Sequence, residues 1–229
     1  MKSIRTLYIF LFLTFSSGSM YAQEHFIGVK GGVSIPFVDF NDFALETNYS
    51  QYIFAAPYAA ISYRHMSTPK IGVQFDLAYA QKGWGQNLIV EQQVANTIKN
   101  TIDYIELPVY LHWAILGDRK FNIGINGGVY AAYAISASRQ IVNLTALEQS
   151  VAEYNIETDN RTDFGLMLGI NVSYDFSFGE IQLEGSYKPG FANILPVSHI
   201  KKENPIVSSN QSPTFTINYL IPLSKFKKE

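Results

Sequence analysis

The chain has 229 residues, room for one barrel or one large domain, with 47% hydrophobic, 14% aromatic and only 16% charged residues, against roughly 25% charged in soluble domains. A formal charge of -2 without a basic stripe leaves no footprint for nucleic acid. There is no cysteine, hence neither a disulfide framework nor thiol chemistry.

Residues 1–22 read as a signal peptide, which leaves 23–229 as the mature domain. Lys2 and Arg5 supply the positive start, and the apolar run 7–15 is too short to cross a bilayer as a helix. Cleavage is expected after Ala22, before Gln23, although Met20 is larger than the small residue usual two positions before such a site. No later apolar stretch reaches the length of about 18 residues that a membrane helix needs, so a helical membrane protein is excluded.

Beyond residue 22 the chain alternates apolar and polar residues with period two, and this predicts eight strands. Segment 27–37 sets Ile27, Val29, Val33 and Ile35 against Lys30 and Ser34. Segment 52–63 is rich in Ala and Tyr, and its two faces are hard to tell apart. In 71–82 the apolar face is Ile71, Val73, Phe75, Leu77 and Tyr79, opposite Gln74, Asp76 and Lys82. In 104–113 it is Ile105, Leu107, Val109, Leu111 and Trp113, opposite Tyr104, Glu106, Tyr110 and His112. Segment 121–135 alternates Ile123, Ile125 and Val129 with Gly124, Asn126 and Gly128. Segment 163–176 alternates Phe164, Leu166, Leu168, Ile170, Val172 and Tyr174 with Asp163, Gly165, Met167, Gly169, Asn171, Ser173 and Asp175. Segment 181–187 sets Ile181, Leu183 and Tyr187 against Gln182, Glu184 and Ser186, the last continued by Lys188, and 215–223 sets Phe215, Ile217, Tyr219 and Ile221 against Thr216 and Asn218.

The connections alternate in length. Those at 38–51, 83–101, 136–161 and 189–213 are long, and those at 64–70, 116–120 and 177–179 are short. This is the pattern of an outer-membrane barrel with long outer loops and short periplasmic turns. The expected fold is therefore all-β: an eight-stranded antiparallel transmembrane β-barrel with four long outer loops and three short periplasmic turns. A soluble ligand-binding barrel would also alternate, with its apolar face inside. Three features favour the membrane. The non-apolar face is rich in Gly, Ala, Asn and Ser, as a crowded interior requires. Its charges have both signs, so Lys30, Lys82 and Lys188 are expected to point inward and pair with Asp76, Glu106, Asp163 or Glu184. Aromatic residues cluster at strand ends, with Tyr63, Trp113, Phe121, Phe176 and Phe178 near the short turns and Tyr79, Trp84, Tyr104, Tyr187 and Phe191 near the long loops, as two interfacial girdles.

Five blocks carry a family resemblance: IGVKGGVSI from Ile27, QFDLAYAQKGW from Gln74, YIELPVYLHW from Tyr104, GINGGVYAAY from Gly124 and DFGLMLGINVSYDF from Asp163. Through them the chain resembles the PorT-type outer-membrane β-barrel family widespread in Bacteroidetes. The resemblance implies a barrel and an outer-membrane address. It brings no catalytic residues, and its founding type assists secretion of other proteins.

The residues offer little chemistry. His25, His65, His112 and His199 do not fall at metal-ligand spacing. His112 shares the lumen face with Glu106 and is read as bonded to its neighbours rather than as a base. Glu106 and Asp76 are read as partners of lysines rather than as an acid pair. No G-x-S-x-G nucleophile motif occurs, and the Gly31-Gly32 and Gly127-Gly128 pairs precede no helix. No catalytic, cofactor-binding or metal-binding residue is expected, nor any cofactor. The loop from Ser136 to Arg161 is the best candidate for specific binding, with 144–154 able to form a short helix that serves either as a lid or as a partner surface. The expected role is a structural or interaction component of the envelope, with assisted secretion within its range. It would be a monomeric barrel in outer-membrane lipid that touches an envelope or secretion-system protein through its outer loops. A small transporter or pore is the alternative, weakened because open channels usually need about 16 strands. An outer-membrane lipid-modifying enzyme is the second.

Overall fold

A computed structural model describes residues 24–41, 49–90, 92–118, 120–142, 154–196 and 207–226. The expected signal peptide, the helix proposed within 144–154 (except Tyr154) and His199 lie outside them.

The described chain forms ten strands: β1 Glu24–Ser34, β2 Phe37–Asn41, β3 Tyr49–Tyr52, β4 Ala56–Met66, β5 Ile71–Val90, β6 Gln93–Gly117, β7 Phe121–Val142, β8 Thr162–Phe176, β9 Gly179–Asn193 and β10 Val207–Pro222. Every ladder is antiparallel, and the order is β1-β4-β5-β6-β7-β8-β9-β10. β1 pairs with β10 as well as with β4, so the run of ladders returns to its start. The two short strands lie off this circuit, β2 on the outer half of β10 and β3 on that of β5.

Eight of the ten strands overlap the eight expected from periodicity with shifted bounds: β1 ends at Ser34 rather than at 37, β4 runs Ala56–Met66 rather than 52–63, and β10 begins at Val207 rather than at 215, while β2 and β3 lie mostly in the first expected loop, 38–51. The larger correction concerns the other long loops. Segment 83–101 is mostly ladder, since β5 and β6 stay paired as far as Val90 opposite Gln93. The chain reverses there with Gln92 at φ 65°. The β6–β7 ladder likewise reaches Thr97 opposite Val142. Periodicity does not reveal these extensions, because period two records a difference between the two faces of a strand. Where both faces are polar, as along Gln86, Asn87, Asn96 and Asn100, the pattern fades although the backbone still pairs. Gly83 marks the junction: its φ is +134°, and a Cβ there would come within 2.0 Å of the Asn100 carbonyl oxygen. A register shift at Asp103/Tyr104 lies close by. Bulges and glycines of this kind let a strand bend.

The short turns fall within the segments expected for them but the first is shorter, 67–70 instead of 64–70, because β4 runs on to Met66. Asp118 Oδ1 accepts from the backbone amides of Phe121 at 2.8 Å and Lys120 at 2.7 Å, which holds its carboxyl below its ordinary value. Thr68 Oγ1 does the same for Ile71 at 3.0 Å. Such side chains substitute for backbone partners that a tight reversal leaves unmet.

Alternation is clean on the staves. In β8, Asp163, Met167, Asn171 and Ser173 are buried, while Phe164, Leu166, Leu168, Ile170, Val172 and Tyr174 are exposed. This inverts a soluble protein: apolar side chains form the outer surface and polar ones the core. From Phe164 to Tyr174, ten steps of about 3.4 Å tilted by about 40° rise ~26 Å, against an apolar band of about 25 Å in outer-membrane barrels. At the short-turn end Tyr63, Trp113, Phe121, Phe176 and Phe178 are exposed as expected, with Phe176 and Phe178 stacked at 5.0 Å. At the other end Tyr187 and Phe191 are exposed, but Trp84 and Tyr104 are buried. They share the inward register of Lys82 and Glu106, and that register, not nearness to a strand end, decides their side.

Candidate functional site: the filled lumen and its outer rim

Inward positions of the staves bring charged side chains into a narrow space, where each must find a partner. Near the short turns, Arg64 Nη1 meets Glu180 Oε1 at 2.9 Å, its Nε donates to Gln74 Oε1 at 2.8 Å, and its Nη2 donates to Gln182. Gln74 passes the network on, donating to Asp76 Oδ1 at 2.8 Å. Lys30 Nζ lies 2.9 Å from Asp76 Oδ2 and 3.4 Å from Glu184 Oε2, and donates to the Tyr110 hydroxyl at 2.8 Å. Asn126 donates to Glu184 at 2.7 Å and lies 2.9 Å from His112 Nδ1. Further along the barrel, Glu106 takes two ammonium groups: Lys188 on Oε1 and Lys82 on Oε2 at 3.0 Å. Lys82 also reaches Asp163 Oδ2 at 2.9 Å and lies over the Tyr130 ring, 4.1 Å from its centre. Lys188 lies 4.2 Å over Tyr58. Aromatic faces thus shield the ammonium groups on sides where no carboxylate can fit.

The three inward lysines pair with the acids expected of them. His112 is a bonded lumen residue, and Glu106 and Asp76 are held by different lysines rather than facing one another as an acid pair. Arg64 and Glu180 join the network although the sequence reading does not single them out. The expected second strand stops at 63 and leaves Arg64 in a turn, whereas the register of Tyr58, Ala60 and Ser62 points to it. Glu180 sits in the same register as Gln182. His65, also expected in a turn, lies in β4 opposite His25, with their Nδ1 atoms 3.4 Å apart. Among the described residues no group of three His, Cys, Asp or Glu is placed to hold a metal.

Above the charges the lumen becomes apolar. Val38, Trp84, Ile102, Tyr104, Ala134, Tyr154, Ile194 and Leu195 pack together at the end toward the long connections. Tyr154 belongs to this cluster and the Asn160 amide donates to the Ile194 carbonyl at 3.2 Å, so this part of loop 136–161 packs onto the mouth.

Residues 21–195 match the family described as outer membrane protein beta-barrel domain. Among solved structures, the chain is similar to Ail, the attachment invasion locus protein of Yersinia pestis, at 12% identity and TM-score 0.41, over 86% of this chain and 99% of that one. It is similar to OprG from Pseudomonas aeruginosa at 12% identity and TM-score 0.39, over 87% and 93%. Outer Membrane Protein W of E. coli gives 11% identity and TM-score 0.41, over 87% and 98%. No curated protein matches the sequence. The chain belongs to the outer membrane protein beta-barrel domain family and is a protein of the bacterial outer membrane.

Proposed function

We propose that this protein is a sealed eight-stave barrel of the PorT type, at home in Bacteroidetes. It acts as a structural or interaction component of the envelope rather than as a conduit or an enzyme. Its three short turns face the periplasm and its long hairpins face outward. A monomer serves as the unit, and an envelope or secretion-system protein is engaged through the outer connections, 136–161 foremost. Assisted secretion is what the PorT resemblance implies for such a partner.

The observation that carries this reading is the filling of the lumen. Lys30, Arg64, Lys82 and Lys188 stand against Asp76, Glu106, Asp163, Glu180 and Glu184, all buried. The Trp84–Leu195 cluster lies above them. Moving an ion through such a space means breaking buried pairs. Purified protein in planar bilayers is therefore expected to give no resolvable conductance steps. Stepwise conductance that Glu106→Gln alters would replace this reading with the pore.

A further inference from the structure

Outside the lumen network, a cavity of about 290 Å³ lies among β2, β3 and the extension of β5. Among the described strands β2 pairs with β10 and β3 with β5, not with each other, so the described ladders leave an interruption between them. The cavity occupies that interruption, lined by Phe37, Phe40, Trp84, Asp39, Ser50 and Gln86 among others. Gly85 lets β3 come this close, since a Cβ there would lie 2.6 Å from the Tyr52 ring. Phe40 meets Trp84 edge to face at 5.4 Å.

Two lining side chains have unmet hydrogen-bonding capacity. Trp84 is 2% exposed and Gln86 6%, and neither Trp84 Nε1 nor Gln86 Oε1 has a partner among the described residues. One is a donor and the other an acceptor, two positions apart on one inward register. A buried unmet donor and a buried unmet acceptor each carry a desolvation penalty, which a ligand relieves by accepting from the one and donating to the other. A hydroxyl does this and an amine cation does not. The aromatic walls add flat apolar faces for the C–H surface of a ring, and the volume suits one ring rather than a long chain. We propose that this cavity binds a single saccharide ring, its hydroxyls accepting from Trp84 Nε1 and donating to Gln86 Oε1 while the ring lies against the aromatic residues. A free sugar and the terminal ring of a longer glycan present the same groups.

The chain has two tryptophans, and Trp113 lies exposed near the short turns, so Trp113→Phe leaves Trp84 as the sole indole reporter. This protein, folded in detergent with its heat-dependent gel shift intact, is titrated with D-glucose, D-galactose and D-mannose, with maltohexaose, with methylcyclohexane and with phenethylamine. A saturable change in Trp84 emission is expected with at least one sugar and none with methylcyclohexane. Gln86→Leu should weaken it at least tenfold, whereas Gln86→Glu, which keeps an acceptor, should retain it. Response to monosaccharides alone identifies a free sugar, and response to maltohexaose as well identifies a chain end. No saturable response to any sugar overturns the proposal. So does a response to phenethylamine alone that Asp39→Asn abolishes, which would make this a site for aromatic cations.

Discussion

Glu106 on β6 holds two lysines, Lys82 from the adjacent β5 and Lys188 from β9 across the lumen. Glu106→Gln removes the charge and takes one anionic partner from each of two buried ammonium groups, Lys82 keeping Asp163. Breaking a buried pair in this way costs about 3–5 kcal/mol. The exposed Glu157→Gln should stay within about 0.5 kcal/mol. Urea unfolding followed by the heat-dependent gel shift measures both, and equal effects would contradict the inward assignment of Glu106. The pairing itself is legible in outline, because mixed-sign charges on the non-apolar face of a membrane strand have nowhere else to go. Which acid meets which lysine is not, because that depends on stagger between strands far apart in sequence, such as β1 and β9. Arg64 shows the same limit: one residue of error at a strand end removes a cation from the network.

For an element, the test is whether its apolar face meets lipid. Leu168 is outward and near the middle of β8, and at 56% exposed it has little protein around it. Leu168→Arg would place a charge at the bilayer midplane, at a cost of about 2–4 kcal/mol. The same exchange at Glu157, outside the band, should cost little. Lipid-vesicle folding titrations compare the two, and an unchanged stability for Leu168→Arg would show that β8 does not face hydrocarbon. Glycine on the inward register is tested separately. A Cβ on Gly165 would lie 1.9 Å from the Pro189 carbonyl oxygen, whereas on Gly169 its nearest neighbours are at 3.2 Å. Gly165→Ala is therefore expected to destabilise more than Gly169→Ala, which the same titration reads. The membrane staves are readable because lipid on one side and a crowded polar core on the other enforce period two. The hairpin extensions above them are not, because polar residues such as Gln86, Asn96 and Asn100 stand on their buried face and Asn87 and Thr97 on the other, so hydropathy shows no contrast.

For the whole molecule, the outward apolar surface and the inward charged core are one fact seen from two sides. Among the described residues, four cationic Lys and Arg side chains and five Asp and Glu side chains are buried in the lumen and nearly cancel. That balance lets a narrow barrel be polar inside without being open. The fold class is legible in the sequence because both requirements repeat along every strand, as in Ile105, Leu107 and Val109 against Tyr104, Glu106 and Tyr110. The rim is not, since β2, β3 and the Trp84 cavity depend on where a short segment docks, which no period records. Methionine and leucine at adjacent positions of β8 give a direct measurement on the unmodified chain. In detergent micelles, nuclear Overhauser contacts from detergent acyl chains should reach the methyls of Leu166, Leu168 and Val172 and be absent at Met167, which is 2% exposed. Acyl-chain contacts at Met167 without contacts at Leu168 would mean an apolar interior and a polar exterior, and would contradict the account.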